Sequence, residues 1–599
     1  MRILACLSAL VCLVGPSVAQ EPTELGDRTK VVVADREPET RSAIDLDQLT
    51  PTQVENLVVL GKVWGFLKYH HPRVAAGELP WDHELFRVLR AVVAASDPRA
   101  RNEALLEWTG RIGVPAACDP CAQPIGDAQL RPALDWIHDE SLLGRDLSAY
   151  LEMVHRNRIR GRKQYYVSSV ASGFAAVDAM YGNEDAHASA LPADLNYRIL
   201  TLLRFWNIIE YWFPYRDVID ESWDTVLRES LSRFVAAKDA DAFRLATLAL
   251  VARVDDTHAW VRDGLGDARP PRGPCLLPFA LRFVEGRLVV ARYVHVSAGP
   301  ASGLRAGDVV TAIDGVSVNE RVQEWSPYYS ASNEPTLRRD IARFVTRGKC
   351  TDAAIAVDRD GEAHTLQVAR LPEARLDRRD LYTHDRPGDT FQKLSDEVSY
   401  LKLSSISTAD VARHIESARG SRGLVIDVRN YPAESVAFEL AASLIDQPTP
   451  FARFTWPDFD NPGAFLWAEP VKLVPRAPRF EGKVAILVDE VSISAAEFTA
   501  MALRASPRAI IVGSTTAGTD GDVRRIPLPA GLQTMISGVG VFYPDRKPTQ
   551  RVGIALDIVV EPTIAGIRDG RDEVLERAVR ELLGPSADAS AIRRMTAVP

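Results

Sequence analysis

The order of apolar and polar positions divides this chain into three regimes. From about residue 48 to 260, apolar residues recur at the three-to-four spacing of helices packed on one another. A Gly/Pro-rich break follows at 263–275 (DGLGDARPPRGPC). Residues 276–372 then read as mostly β with one helix: runs at 281–283 and 288–293 flank a Glu285-Gly286 turn, and 309–313 is a further core strand. From 385 to 585, strand runs at 398–403, 423–428, 484–488 and 509–512 alternate with helix formers at 410–417, 435–445 and 495–504. That alternation predicts an α/β domain with a largely parallel sheet. The expected fold class is multidomain α+β, and 599 residues are too many for one core.

The helical regime contains an internal repeat. Trp64-Gly-Phe-Leu-Lys-Tyr69-His-His-Pro72 matches Trp206-Asn-Ile-Ile-Glu-Tyr211-Trp-Phe-Pro214 at an offset of 206 − 64 = 142. The same offset carries Trp81-Asp82 onto Trp223-Asp224 and Asp97 onto Asp239. A constant offset predicts a duplicated helical unit: amphipathic helix, Pro-ended turn, Trp-Asp helix, third helix. The expected units are 46–189 and 190–265, and the aromatic stripe reads as core. The copies differ at their ends. Copy two closes on Asp255-Asp256-Thr257-His258, where copy one has Val114 and Ala116 opposite Asp256 and His258.

Composition changes the picture little. The net charge of −9 argues against a nucleic-acid partner. Residues 1–19 read as a secretory leader: Arg2, an apolar run at 3–14, then small residues before Gln20. Residues 20–45 read as a polar linker and 586–599 as a tail. No later run is long and apolar enough to span a bilayer. Past the leader, four cysteines remain, an even count that suggests disulfides in an exported chain. Cys118 with Cys121, and Cys275 with Cys350, are the expected pairs. No second pair of zinc-ligand type is present, so neither a metal nor any other cofactor is expected.

Candidate chemistry centres on residues 484–523. Ser494 stands where a strand turns into a helix, with backbone N–H groups and the positive dipole end beside its hydroxyl. A serine there can attack a carbonyl while the next amide, Ala495, receives the oxyanion. Ser494-Ala-Ala-Glu497 equally fits a capping box. The wider pattern, strand–SxSAAE–helix–strand–Gly-rich turn, closely resembles the tail-specific protease (C-terminal processing peptidase) family, in which this serine is the nucleophile.

The resemblance implies further roles. Asp255-Asp-Thr-His258 resembles the Asp-Ser-His segment of tricorn-like members, where the histidine is the general base; Thr257 stands at the serine. Asp427-Val-Arg429-Asn430-Tyr431-Pro432 resembles the loop that lends an amide to the oxyanion hole. It has no glycines here and Pro432 has no N–H, so Asn430 or Tyr431 would supply it. Residues 299–315, with Gly303-Leu304, Gly307-Asp308 and Ile313-Asp314-Gly315, resemble bacterial PDZ domains, which capture extended peptides. Where many relatives carry a catalytic lysine this chain has Thr519. That absence moves the base role to His258. The orienting carboxylate of the tricorn-like arrangement is missing, with Gln550 and Arg551 in its region and Asp256, Asp520 and Asp522 as speculative substitutes.

The expected function is an exported, periplasmic or secreted serine endopeptidase acting on protein or peptide substrates. Its expected site residues are Ser494, His258, Thr257 and the amides of Ala495, Tyr431 and Asn430. The alternative is a non-catalytic binder of peptides or hydrophobic ligands on the same fold. Oligomeric state is not legible.

Overall fold

The computed structural model describes residues 46–597, except 159, 161–163, 172–176 and 265. The expected leader and linker therefore lie outside the described residues.

The N-terminal half is helical. Helix α1 (Pro51–His70) opens on a capping box between Thr50 and Gln53 and stops ahead of Pro72. Helices α2 (Trp81–Ala94), α3 (Pro98–Ile112) and α4 (Glu140–Arg156) follow. Then come α5 (Leu195–Trp212), α6 (Trp223–Ala236) and α7 (Ala240–Ala252). The sequence suggested amphipathic lead helices, but α1 and α5 are buried nearly all round. Each is flanked on several sides by other helices, so no face is left for polar residues.

The two lead helices make matching contacts. The Trp64 indole donates to the Trp81 carbonyl at 3.2 Å and the Trp81 indole returns the bond at 3.1 Å. Trp206 and Trp223 form the same reciprocal pair at 2.7 and 2.9 Å. The Asn207 amide donates to the carbonyls of Gly61 and Leu203. A methyl group on Gly65 would meet Asn207 Oδ1 at 1.6 Å, so only glycine admits this crossing of α1 and α5.

The middle unit is built on an antiparallel sheet. Strands β1 (Phe279–Val284), β2 (Arg287–Tyr293), β3 (Val309–Ile313), β4 (Asp352–Arg359) and β5 (Glu362–Ala369) lie in the order β5-β4-β3-β2-β1. It holds three helices, 298–301, 318–325 and α8 (Glu334–Phe344), rather than the one expected. Disulfides join Cys118 to Cys121 and Cys275 to Cys350.

The C-terminal half is a six-stranded sheet: β6 (Phe391–Lys393), β7 (Val398–Lys402), β8 (Gly423–Asp427), β9 (Lys483–Val488), β10 (Ala509–Gly513) and, further on, Ile558–Val559 at the far edge. Only the β6–β7 pairing is antiparallel. The parallel register sets Asp427 beside Leu487 and Val488 beside Gly513, so the loops after β8, β9 and β10 gather at one edge. Helix α9 (Ala495–Arg504) packs on one face and α10 (Glu573–Leu583) on the other. A helix at Ala589–Thr596 occupies the expected tail and buries Ile592 against α10's cluster.

One hairpin crosses between halves. Strands β11 (Val523–Pro527) and β12 (Gln533–Ser537) pair antiparallel, and β12 also pairs with Arg262. Ile526, Leu528, Leu532 and Ile536 sink into the helical core. The segment after α7 is thereby tied to the loops following β10.

Candidate active site

Ser494 closes a tight turn between β9 and α9. The turn is fixed by burial and charge. Asp489, fully enclosed at the end of β9, accepts Arg282 at 3.0 Å and His384 Nδ1 at 2.7 Å. Burial opposes its charge, but the imidazole and the guanidinium hold it well below the usual carboxylate range. His384, Asp489 and Glu490 are near enough to hold a metal ion, but the Arg282 guanidinium already bridges the two carboxylates. Ser492 Oγ donates to the Val428 carbonyl at 2.7 Å, stitching the β9 loop to the β8 loop.

Ser494 itself has φ 56° and ψ −118°. A non-glycine residue at positive φ costs on the order of 1–3 kcal/mol and persists where the surroundings impose it. Its N–H donates to the Thr519 carbonyl at 2.9 Å and to Glu497 Oε2 at 3.3 Å. Glu497 is enclosed and also accepts the amides of Gly518 at 2.8 Å and Thr519 at 3.0 Å. Burial pushes its carboxyl up to about 7 against these hydrogen bonds. The Glu497 half of the predicted capping box is thus enlarged into an anchor for the whole 516–519 turn.

His258 is buried, 9% exposed. Its N–H donates to Asp256 Oδ1 at 3.1 Å, and its Nδ1 lies 2.9 Å from Ser537 Oγ. Ser537 Oγ in turn donates to Asp256 Oδ1 at 3.1 Å and Ser537 N–H to Asp256 Oδ2 at 2.8 Å. Burial lowers the imidazole below its ordinary value, and the carboxylates of Asp256 and Asp522 resist that shift. The ring is therefore neutral at pH 7.

Thr257 points elsewhere. Its hydroxyl donates to Ser332 Oγ at 3.1 Å and accepts from Ser332 N–H at 3.0 Å. Thr257 N–H reaches Thr519 Oγ1 at 3.3 Å, and Ser332 Oγ is hydrogen-bonded to the same Thr519 hydroxyl. Thr519, the residue at the lysine position of many relatives, hence touches the backbone of both the Ser494 turn and the His258 segment. Among the described residues no hydrogen bond joins Ser494 to His258 directly.

The oxyanion candidates flank the same edge. The Ala495 amide opens α9 and has no carbonyl of its own helix to meet. Tyr431 is 55% exposed, and burial of its phenol raises it above its ordinary value. Asn430 is buried, its side chain held by the Asp427 carbonyl and Asp385. Gln550 is buried with neither amide atom partnered among the described residues, and Arg551 pairs with Asp220. Asp520 keeps one carboxylate oxygen unpartnered, and burial raises it well above the carboxylate range. Of the carboxylates considered from sequence, only Asp256 connects to His258 through hydrogen bonds. Ser537 and Ser332 were missed: each is a lone serine outside any motif, brought in by strand pairing and by a loop of the middle unit.

A serine at a strand–helix elbow over a parallel sheet edge is the mark of a hydrolase, and the class here is a serine-type peptidase. Residues 397–560 match the model of peptidase family S41, a stretch that includes Ser494, Ala495, Asn430 and Tyr431 but not His258. The chain is similar to the carboxyl-terminal-processing peptidase 3, chloroplastic, of Arabidopsis thaliana: 22% identity over 382 residues, covering 60% of this chain and 68% of the relative. In fold it resembles a crystal structure of a CPAF mutant (TM-score 0.52, 13% identity, 66% of this chain and 99% of that one). Mature CPAF complexed with lactacystin matches likewise (TM-score 0.50, 13% identity, 63% of this chain and 95% of that one).

Proposed function

We propose that the protein is an exported serine endopeptidase in which Ser494 is the nucleophile and His258 the general base. Ser494 Oγ attacks the scissile carbonyl. His258 takes the hydroxyl proton and returns it to the leaving amine. The Ala495 amide, with that of Asn430 or Tyr431, receives the negative oxygen. The observation that carries this reading is the imposed positive φ of Ser494 at the mouth of α9, two hydrogen bonds through Thr519 from the segment of His258.

The unit at 276–372 is read as PDZ-like and as the peptide-capturing module. Support comes from β1, an edge strand, and from a cavity of about 340 Å³ between it and α8 that extends to Val491 and Thr515. The two helical units are read as copies of one ancestor, on the strength of their matching tryptophan pairs. Export is supported by the leader pattern and by two disulfides.

The test is a fluorophosphonate probe on the full chain, with site mapping. Labelling of Ser494, lost in Ser494→Ala together with hydrolysis of a denatured protein substrate, is expected. An intact wild-type protein that takes no label at Ser494 refutes the enzyme and leaves the binder.

A further inference from the structure

We propose that Ser537 is a positioning residue for the reaction, relaying the Asp256 carboxylate to His258 in place of a directly bonded acid. This rests on the reading of His258 as the base.

The argument is one of hydrogen-bond polarity. Asp256 is fully enclosed and accepts three hydrogens: from His258 N–H, Ser537 N–H and Ser537 Oγ. Both of its oxygens act as acceptors here, and the Ser537 hydroxyl is the donor. A serine hydroxyl has a single proton. Once that proton is committed to Asp256, Ser537 can offer Nδ1 only a lone pair. Nδ1, 2.9 Å away, must then carry the ring proton. Nε2 is left with its lone pair, the form that can take a proton from a serine hydroxyl. Asp256 does not do this alone: its nearer oxygen is 4.0 Å from Nδ1. The charged groups facing the imidazole are Asp256 from the same segment and Asp522 from the turn before β11.

The geometry has an origin in the fold. Ser537 is the last residue of β12, whose register against Arg262 brings the strand past the His258 segment. Thr534 of the same strand donates to the Trp260 carbonyl at 3.2 Å, so the spacing is held on both sides of the histidine. When the imidazole becomes charged during the reaction, Ser537 remains an acceptor and passes the stabilisation of Asp256 inward without moving a proton.

The experiment measures the rate of Ser494 labelling by a fluorophosphonate against pH, in the full chain, for wild type, Ser537→Ala, His258→Ala and the double variant. Ser537→Ala should slow labelling about tenfold to a hundredfold at pH 8, a part of the ~10²–10⁴ that a general base contributes. Its acidic limb should move to lower pH, because the charged ring loses an acceptor. In the His258→Ala background the same substitution should add nothing, since both act through one imidazole. Labelling of Ser537→Ala at the wild-type rate with an unmoved limb overturns the relay while leaving the base. Equal slowing by Ser537→Ala with and without His258 overturns it too, by showing a merely structural effect. Wild-type labelling in His258→Ala would instead mark failure of the base reading. Should Ser537→Ala melt well below wild type, ¹⁵N-histidine NMR of the unmodified protein decides: His258 is expected as the Nδ1–H tautomer, and an Nε2–H tautomer refutes the proposal.

Discussion

The amide of Ser494 donates to the carbonyl of Thr519 at 2.9 Å, while the hydroxyl of Thr519 receives the amide of Thr257. One buried threonine thus spaces the proposed nucleophile from the proposed base. Thr519→Val keeps the shape and removes the hydroxyl. It should leave the Ser332 hydroxyl without its Thr519 partner, while Thr257 N–H keeps Ser332 Oγ at 3.0 Å, and cost about 1–3 kcal/mol. A chemical denaturation midpoint will report this. A midpoint equal to wild type would show that the hydroxyl triangle holds nothing.

His258 should set an acidic limb on kcat/KM below 6.5, because burial lowers its imidazole. The sign for stability follows the same direction. A folded-state value below the unfolded one means that stability is present above about pH 6.5 and is lost as pH falls through the folded value. His258→Gln should abolish the limb along with most of the rate. A limb above pH 7 that survives His258→Gln would point to another base.

Glu497 titrates with the opposite sense. Its carboxyl stands at about 7, above the ordinary 4.5. This group's contribution is complete below about pH 4.5 and is lost as pH rises through 7, on the order of 3 kcal/mol in all. Glu497→Gln cannot titrate. The difference in thermal midpoint between wild type and Glu497→Gln should therefore shift against the wild type from pH 4.5 to 8. A constant difference over that range would mean that the carboxylate is ionised throughout.

Gly65→Ala tests the helical core. Its methyl would enter the space of the buried Asn207 amide, which cannot swing away without releasing the carbonyls of Gly61 and Leu203. The expected cost is about 2–5 kcal/mol from overpacking and lost hydrogen bonds. Asn207→Ala in the same chain should recover part of it, giving a sum that is less than additive. Full additivity would mean that the two residues do not touch.

Much of this arrangement was legible in sequence because it follows local rules. Strand runs of β-branched residues gave β3 and β9 nearly to the residue, and the run of helix formers after Ser494 gave α9 whole. The Ser494 turn was legible because an elbow needs a particular order of strand, small residues and helix. What was not legible depends on pairing between distant segments. Ser537 meets His258 across 279 residues and Ser332 meets Thr257 across 75, and neither serine sits in a recognisable string. The Thr257 hydroxyl is engaged by Ser332, a neighbour that only the folding of a middle-unit loop brings to it.

The crossing of α1 over α5 sets Gly61 against Leu203 and Gly65 against Asn207, and each of these partners is 142 positions from the other. Every such residue faces its own counterpart, as at the axis of a symmetric dimer. In a dimer of identical subunits, the two residues at that axis must be the same, and two asparagines or two leucines would collide there. On the proposed reading of the two units as copies, joining both in one chain frees them to diverge, one shrinking to glycine as the other fills the gap. The same freedom lets a histidine and an aspartate appear at the end of one unit only, where a symmetric pair would have carried two such sites or none.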